Sequence, residues 1–92
     1  MIKSFADKQT ADLYERKRSK RFVNIERVAF RKLVIINAAT DLADLEVPPG
    51  NRLEALKGER LGQYSIRINR QWRICFNWNN GDAENVEICD YH

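Results

Sequence analysis

From Tyr64 onward the apolar residues keep to even-numbered positions. Tyr64, Ile66 and Ile68 alternate with Ser65, Arg67 and Asn69, and Trp72, Ile74, Phe76 and Trp78 alternate with Arg73, Cys75 and Asn77. Val86 and Ile88 continue the set. Alternation with a period of two marks strands that bury one face. The last third therefore predicts three antiparallel strands whose even residues face a layer of helices. Earlier in the chain the period lengthens. Ile25, Val28, Ala29, Leu33, Ile36 and Thr40 recur at helical steps, which predicts an amphipathic helix capped at Asn24 and running to about Leu45. Ile2 to Phe5 reads as a short opening strand. Asp7 then caps a helix that carries Ala11, Leu13 and Tyr14 and ends in a basic run. Pro48-Pro49-Gly50 stops the long helix and opens a loop that reaches at least Gly58.

Parity also constrains the hairpins. A first turn through Asn69-Arg70-Gln71 sets Ile68 opposite Trp72, Ile66 opposite Ile74, and Arg67 directly across from Arg73. A two-residue Asn80-Gly81 turn in the second hairpin would instead set Phe76 against Asn85 and Val86 against Cys75. That puts core residues opposite surface ones, because a one-residue slip exchanges the faces of a strand. A three- or five-residue loop, or a bulge, is expected there despite the Asn-Gly signal. Correcting the slip brings Gln71 opposite Tyr91 and Arg70 opposite His92.

Composition bounds the rest. The 92 residues, 43% hydrophobic and 32% charged, suit a single globular domain over residues 1–92 with helices on one face of a mostly antiparallel sheet, an α+β class. The longest aliphatic run is Leu33-Val34-Ile35-Ile36, far short of a membrane span, and the opening residues have no signal-like apolar region. A cytoplasmic chain without membrane contact is expected. Cys75 and Cys89 lack metal or redox-motif spacing and read as reduced thiols.

Charge is uneven. Residues 1–40 carry ten Lys/Arg against four Asp/Glu, while residues 41–92 carry six against nine. The densest run is Arg16-Lys17-Arg18-Ser19-Lys20-Arg21. Such a run is commonly only a solvated face, yet five cations in six residues can also hold a nucleic-acid backbone through counterion release, without sequence specificity.

The odd-numbered face of the strands raises a chemical question. Two arginines facing each other cost a sheet a few tenths to about 1 kcal/mol, and an anion between them removes that cost. The expected register gathers Arg67, Arg73, Gln71 and Tyr91 at one end of the sheet, with Asp90 and His92 where the strand leaves the core. Lys57 can close over the same region. One histidine and no carboxylate cluster argue against a metal centre, and no nucleophile motif or glycine-rich phosphate loop is present. No cofactor is expected. Cation-rich acid–base chemistry remains, and RNA is a substrate that supplies its own nucleophile, the ribose 2′-OH. Lys57, Arg73 and Arg67 can stabilise charge on a phosphorane. His92 next to Asp90 should favour imidazolium, the form that protonates a leaving group.

These residues also carry a family resemblance. Asn51-Arg52-Leu53, Leu56-Lys57-Gly58, Gly62 to Ile68, Trp72-Arg73-Ile74-Cys75-Phe76, Gly81-Asp82-Ala83 and Asp90-Tyr91-His92, with Met1 to Phe5, resemble the HigB toxins of bacterial type II toxin–antitoxin modules, within the RelE/ParE superfamily. The resemblance implies a RelE-like microbial RNase fold and an endoribonuclease that cuts mRNA in the A site of the 30S subunit of the translating ribosome. It implies a HigA-type helix-turn-helix antitoxin as partner, with DNA contacted only through the antitoxin complex. Catalytic positions carry over onto Lys57, Arg73, Asp90, Tyr91 and His92, and substrate contacts onto Arg67, Gln71, Arg70 and Glu54. Some relatives have histidine where this chain has Glu54, which leaves the identity of the general base open. The basic run, Arg16, Lys17, Arg18, Lys20 and Arg21, becomes a candidate ribosomal RNA contact. Two alternatives stand beside this reading: a ParE-like protein-binding toxin acting on gyrase, and a degenerate toxin kept as an antitoxin-binding regulator.

Overall fold

In the computed structural model, which describes residues 1–90, the strands and the first hairpin follow the even-parity pattern. Helices α1 (Lys8–Tyr14) and α2 (Glu26–Ala38) are followed by strands β1 (Glu54–Ala55), β2 (Gln63–Arg67), β3 (Trp72–Asn79) and β4 (Asp82–Asp90). The strands form one antiparallel sheet in the order β1-β2-β3-β4. Ile2 and Phe5 add parallel bridges to Ala83 and Val86 rather than a full strand. The two helices cover one face, and Ala29, Leu33 and Ile36 of α2 pack with Ile66, Ile74, Phe76, Val86 and Ile88 of the sheet. No helix among the described residues is long and apolar enough to cross a membrane.

Arg67 pairs with Arg73 and Ile66 with Ile74, as parity requires. Asn69 shapes the turn: its Oδ1 accepts from the backbone N–H groups of Gln71 and Trp72, both at 2.8 Å. The second hairpin reconciles two conflicting signals. Its turn is the two-residue Asn80-Gly81 type, both residues having positive φ, and Asn79 pairs with Asp82. A bulge then restores parity, because the register shifts between Cys75 and Asn77 so that Asn85 and Val86 both oppose Phe76. Asn85 takes the left-handed conformation at φ 53°, and its N–H donates to Ser4 Oγ at 2.9 Å. Beyond the bulge Cys75 pairs with Glu87, Ile74 with Ile88, and Trp72 with Asp90.

The helices differ from expectation at their ends. Asp7 does precede α1, but its carboxylate makes no capping bond. The helix closes at Tyr14, before the basic run, in a Schellman motif. Arg16, left-handed at φ 66°, donates its N–H to Leu13 O, and Lys17 donates to Asp12 O. The residue capping α2 is Ile25 rather than Asn24, and α2 stops at Ala38, well short of Leu45. The reason is local competition. The Asp41 carboxylate accepts from Ala43 N–H, and the Asp44 carboxylate accepts from the N–H groups of Thr40 and Asp41. These bonds start a separate 3₁₀ turn, Leu42–Glu46, which still buries Leu45 in the core. The stretch expected to be a loop from Pro48 to Gly58 contains the two-residue strand β1.

Candidate active site

The sheet face opposite the helices carries the odd-numbered residues, and a groove of about 680 Å³ lies over it. It is lined by Glu54 and Lys57 at the β1 edge, Ser65 of β2, Cys75 of β3, and Cys89 and Asp90 of β4. Lys57 reaches this position because β1 adds to the edge of β2, pairing Glu54 with Ser65. A smaller pocket of about 210 Å³ shares Glu54 and is ringed by Arg52, Arg67, Arg70 and Arg73.

Arg73 is the most constrained of these cations, only 5% exposed. Its Nε donates to Ser65 Oγ and its Nη2 to the backbone carbonyl of Arg52, both at 2.8 Å. The guanidinium opposite it diverges: Arg67 Nε donates to Asn69 O at 3.1 Å. The two heads thus point to different protein oxygens, which is how the sheet tolerates like charges on facing positions. The residue before Arg52 is Asn51, whose fully buried amide donates to Leu45 O and Val47 O and accepts from Lys32 Nζ on α2. Burial, and secondarily the neighbouring Arg31, lowers the pKa of Lys32. A hydrogen-bonded path therefore runs from α2 through the loop to Arg73.

A second polar network braces the other end of the groove. Arg60 donates to Gln63 Oε1 at 2.9 Å and pairs with Glu87 at 3.1 Å, while Gln63 and Asn85 both donate to Asn77 Oδ1 at 3.2 Å. The Cys89 thiol donates to the Glu87 carbonyl at 3.7 Å, and the neighbouring thiols shift each other, the pKa of Cys75 down and that of Cys89 up.

Of the residues singled out in the sequence, Lys57, Glu54 and Asp90 share the larger groove, and Arg67, Arg70 and Arg73 share the smaller pocket with Glu54. Gln71 joins them through Asp90, its Nε2 donating to Oδ2 at 3.2 Å. Tyr91 and His92 lie outside the described residues. The basic run occupies the helical layer instead. There Arg16, Lys17 and Arg18 line a separate groove with Arg27 and Phe30, and the Arg16 guanidinium stacks 4.4 Å from the Phe30 ring. Lys20 is exposed. Arg21 lies against Trp72, the residue paired with Asp90, and so links the two surfaces. Sequence reading missed Ser65, Arg52, Arg60 and Asn51. Ser65 had a signal, its odd parity next to Arg67. The other three depend on loop packing.

The sequence profile for the RelE-like toxin of the type II toxin–antitoxin system HigB matches residues 3–92. The chain belongs to this HigB-like toxin family. A Toxin HigB-1 from Vibrio cholerae is 44% identical over 90 residues, covering 96% of this chain and 95% of its own. An Endoribonuclease HigB from Proteus vulgaris is 36% identical over 94 aligned residues, with both chains fully covered. Among solved structures, the toxin's fold is similar to a YoeB–YefM complex from Staphylococcus aureus, with a TM-score of 0.58 at 19% identity, covering 100% of this chain and 98% of the other. A YoeB dimer from the same organism gives 0.56 at 19% identity, covering 99% and 97%. The α+β fold of a RelE-like toxin, expected from strand parity and the family motifs, is thus the fold observed.

Proposed function

We propose that this HigB-family toxin is an endoribonuclease that cuts mRNA in the ribosomal A site. The observation that carries the reading is the groove on the helix-free face, which Lys57 and Asp90 both line, with Arg73 clamped by Ser65, another lining residue, and by the Arg52 carbonyl. The relative named Endoribonuclease HigB, matched over its whole length, supports the same activity. In this reading the ribose 2′-OH attacks the adjacent phosphorus, and the 5′-oxygen leaves with a proton. Lys57 and Arg73 stabilise the charge that builds on the phosphorane, where preorganised donors act most strongly. Asp90, Tyr91 and His92 supply proton transfer, with His92 as the acid. Glu54, which lines both pockets, takes the 2′-OH proton in this reading. Arg67, Arg70 and Gln71 hold the flanking nucleotide.

The partner is a HigA-type helix-turn-helix antitoxin, and the site of action is the cytoplasm, where translating ribosomes are. The basic run on the helical layer contacts ribosomal RNA. Neutralising Arg16, Lys17, Arg18, Lys20 and Arg21 then weakens ribosome binding and flattens its salt dependence. The deciding experiment induces the chain in bacteria and maps mRNA ends. New cuts within translated regions that vanish with His92→Ala support the proposal. Growth arrest without such cuts, or cuts indifferent to His92→Ala, rejects it.

A further inference from the structure

Two sulfur groups in the groove have no task in phosphoryl transfer. Cys75 on β3 and Cys89 on β4 project from the same sheet face, and both line the cavity that holds Lys57 and Asp90. Cys75 pairs across the ladder with Glu87 and Cys89 with Arg73, so the two thiols occupy a diagonal of adjacent pairs. Both are free thiols, and Cys89 Sγ donates to the Glu87 carbonyl at 3.7 Å. Cys75 is 4% exposed and Cys89 is more open, so access runs through the groove and suits only a small reagent. A positive charge stands close by: Arg60 lines the same cavity and is held there by Glu87 and Gln63.

We propose that Cys75 and Cys89 form a modification site, a redox-active dithiol that a small peroxide entering the groove converts to a cross-strand disulfide. The Cys75 thiolate attacks one peroxide oxygen, an S–O bond forms, the O–O bond breaks, and hydroxide leaves to become water. Cys89 then attacks the resulting sulfenic acid. The S–S bond forms, the S–O bond breaks, and the departing hydroxyl takes the Cys89 proton as a second water. Two thiols and one hydrogen peroxide thus give one disulfide and two waters. The surroundings favour the first step: the adjacent Cys89 thiol and the Arg60 guanidinium, which lines the same cavity, both lower the pKa of Cys75. Cys89, which keeps its proton, is the resolving partner.

The cross-link has a consequence for the site, and that part rests on the proposed ribonuclease activity. Diagonal neighbours in an antiparallel ladder lie about 7–8 Å apart at Cα, whereas a disulfide takes about 4.4–6.8 Å. Closing the bond therefore draws β3 and β4 together at the Arg73–Cys89 pair, immediately before Asp90. Displacing a catalytic group by about 1 Å costs on the order of 10²-fold in rate, so oxidation switches the toxin down.

The test treats the full-length purified toxin with hydrogen peroxide under native conditions and reads intact mass and titratable thiols. The proposal expects both thiols to disappear together with a loss of two hydrogens, reversed by dithiothreitol. In Cys89→Ser, Cys75 should stop at a sulfenic acid that dimedone traps. Two thiols that stay titratable, or oxygen added to wild type without cross-linking, overturn the modification site. Reconstituted cleavage on ribosomes is the separate readout: about 10²-fold loss on cross-linking, recovery on reduction, and resistance in Cys89→Ser. Full cleavage by the cross-linked protein overturns the switch. A reduced protein that never cuts RNA counts against the proposed function instead, and the mass measurement still decides the chemistry.

Discussion

The two faces of the sheet are built from the same strands, yet one is closed by helices and the other is only partly buried, and they are filled by different chemistry. On the helix side Ile66, Ile74, Phe76 and Val86 are fully enclosed by apolar neighbours. On the opposite side Arg73, 5% exposed, is buried more deeply than Ile68 at 9%. Burial of that cation is aided by Ser65 and the Arg52 carbonyl, which accept from two of its five N–H donors. The comparison separates two jobs. Non-directional apolar packing on one face supplies stability, and directional bonds on the other set the positions of groups in the groove. Alternation along β2, β3 and β4 allows both, since adjacent residues point to opposite sides.

The division can be broken most severely from the helix side. Phe76→Ala removes a fully buried ring at the bulge and should cost about 3–5 kcal/mol in chemical denaturation, with the groove lost only because the fold is lost. Arg73→Lys tests the open face. It keeps the charge but removes the fork that spans Ser65 and Arg52, so ribosome-dependent cleavage should fall about 10²–10³-fold with a smaller change in unfolding midpoint. An equal loss in both would mean Arg73 is structural only. Asn51→Ala leaves the buried Leu45 carbonyl and the part-buried Val47 carbonyl without their donor and should cost about 1–3 kcal/mol. Because Asn51 anchors the loop that precedes Arg52, whose carbonyl accepts from Arg73, cleavage measured at a temperature where the variant is fully folded should still drop. Arg67→Gln has the smallest effect and the most telling sign. Removing one of two facing cations should raise stability by about 0.2–1 kcal/mol, while weakening RNA binding in a salt titration. A variant that is less stable, or binds RNA unchanged, would contradict the assignment of that face to function.

Strand parity made much of the architecture legible. The first hairpin's register follows from Ile66, Ile68, Trp72 and Ile74, and the bulge follows from the clash between the Asn80-Gly81 turn and the even-numbered core. The second case is instructive, because both signals held: the turn is tight, and Asn85 absorbs the extra residue. Helix ends were less legible. The Asp41 and Asp44 side chains offer the backbone a local alternative, so the apolar stripe that continues to Leu45 outlasts the helix itself. Of the candidate site, the arginine pair and Lys57 over the groove were readable; the Gln71–Asp90 hydrogen bond was not, and the expected pairings of Gln71 with Tyr91 and Arg70 with His92 fall outside the described residues.

By itself the sequence determined which face of each strand is apolar, where the turns fall, the facing arginines, and the family motifs, because these depend on neighbours two to a few residues apart. Only the tertiary structure decided that Arg73 is clamped by Ser65 and by a loop anchored through Asn51 to Lys32, that β1 brings Lys57 to the groove, and that Arg60 bridges to Glu87. Those contacts join segments far apart in the chain. Their partners are chosen by loop placement once the core has closed, and no local periodicity encodes that placement.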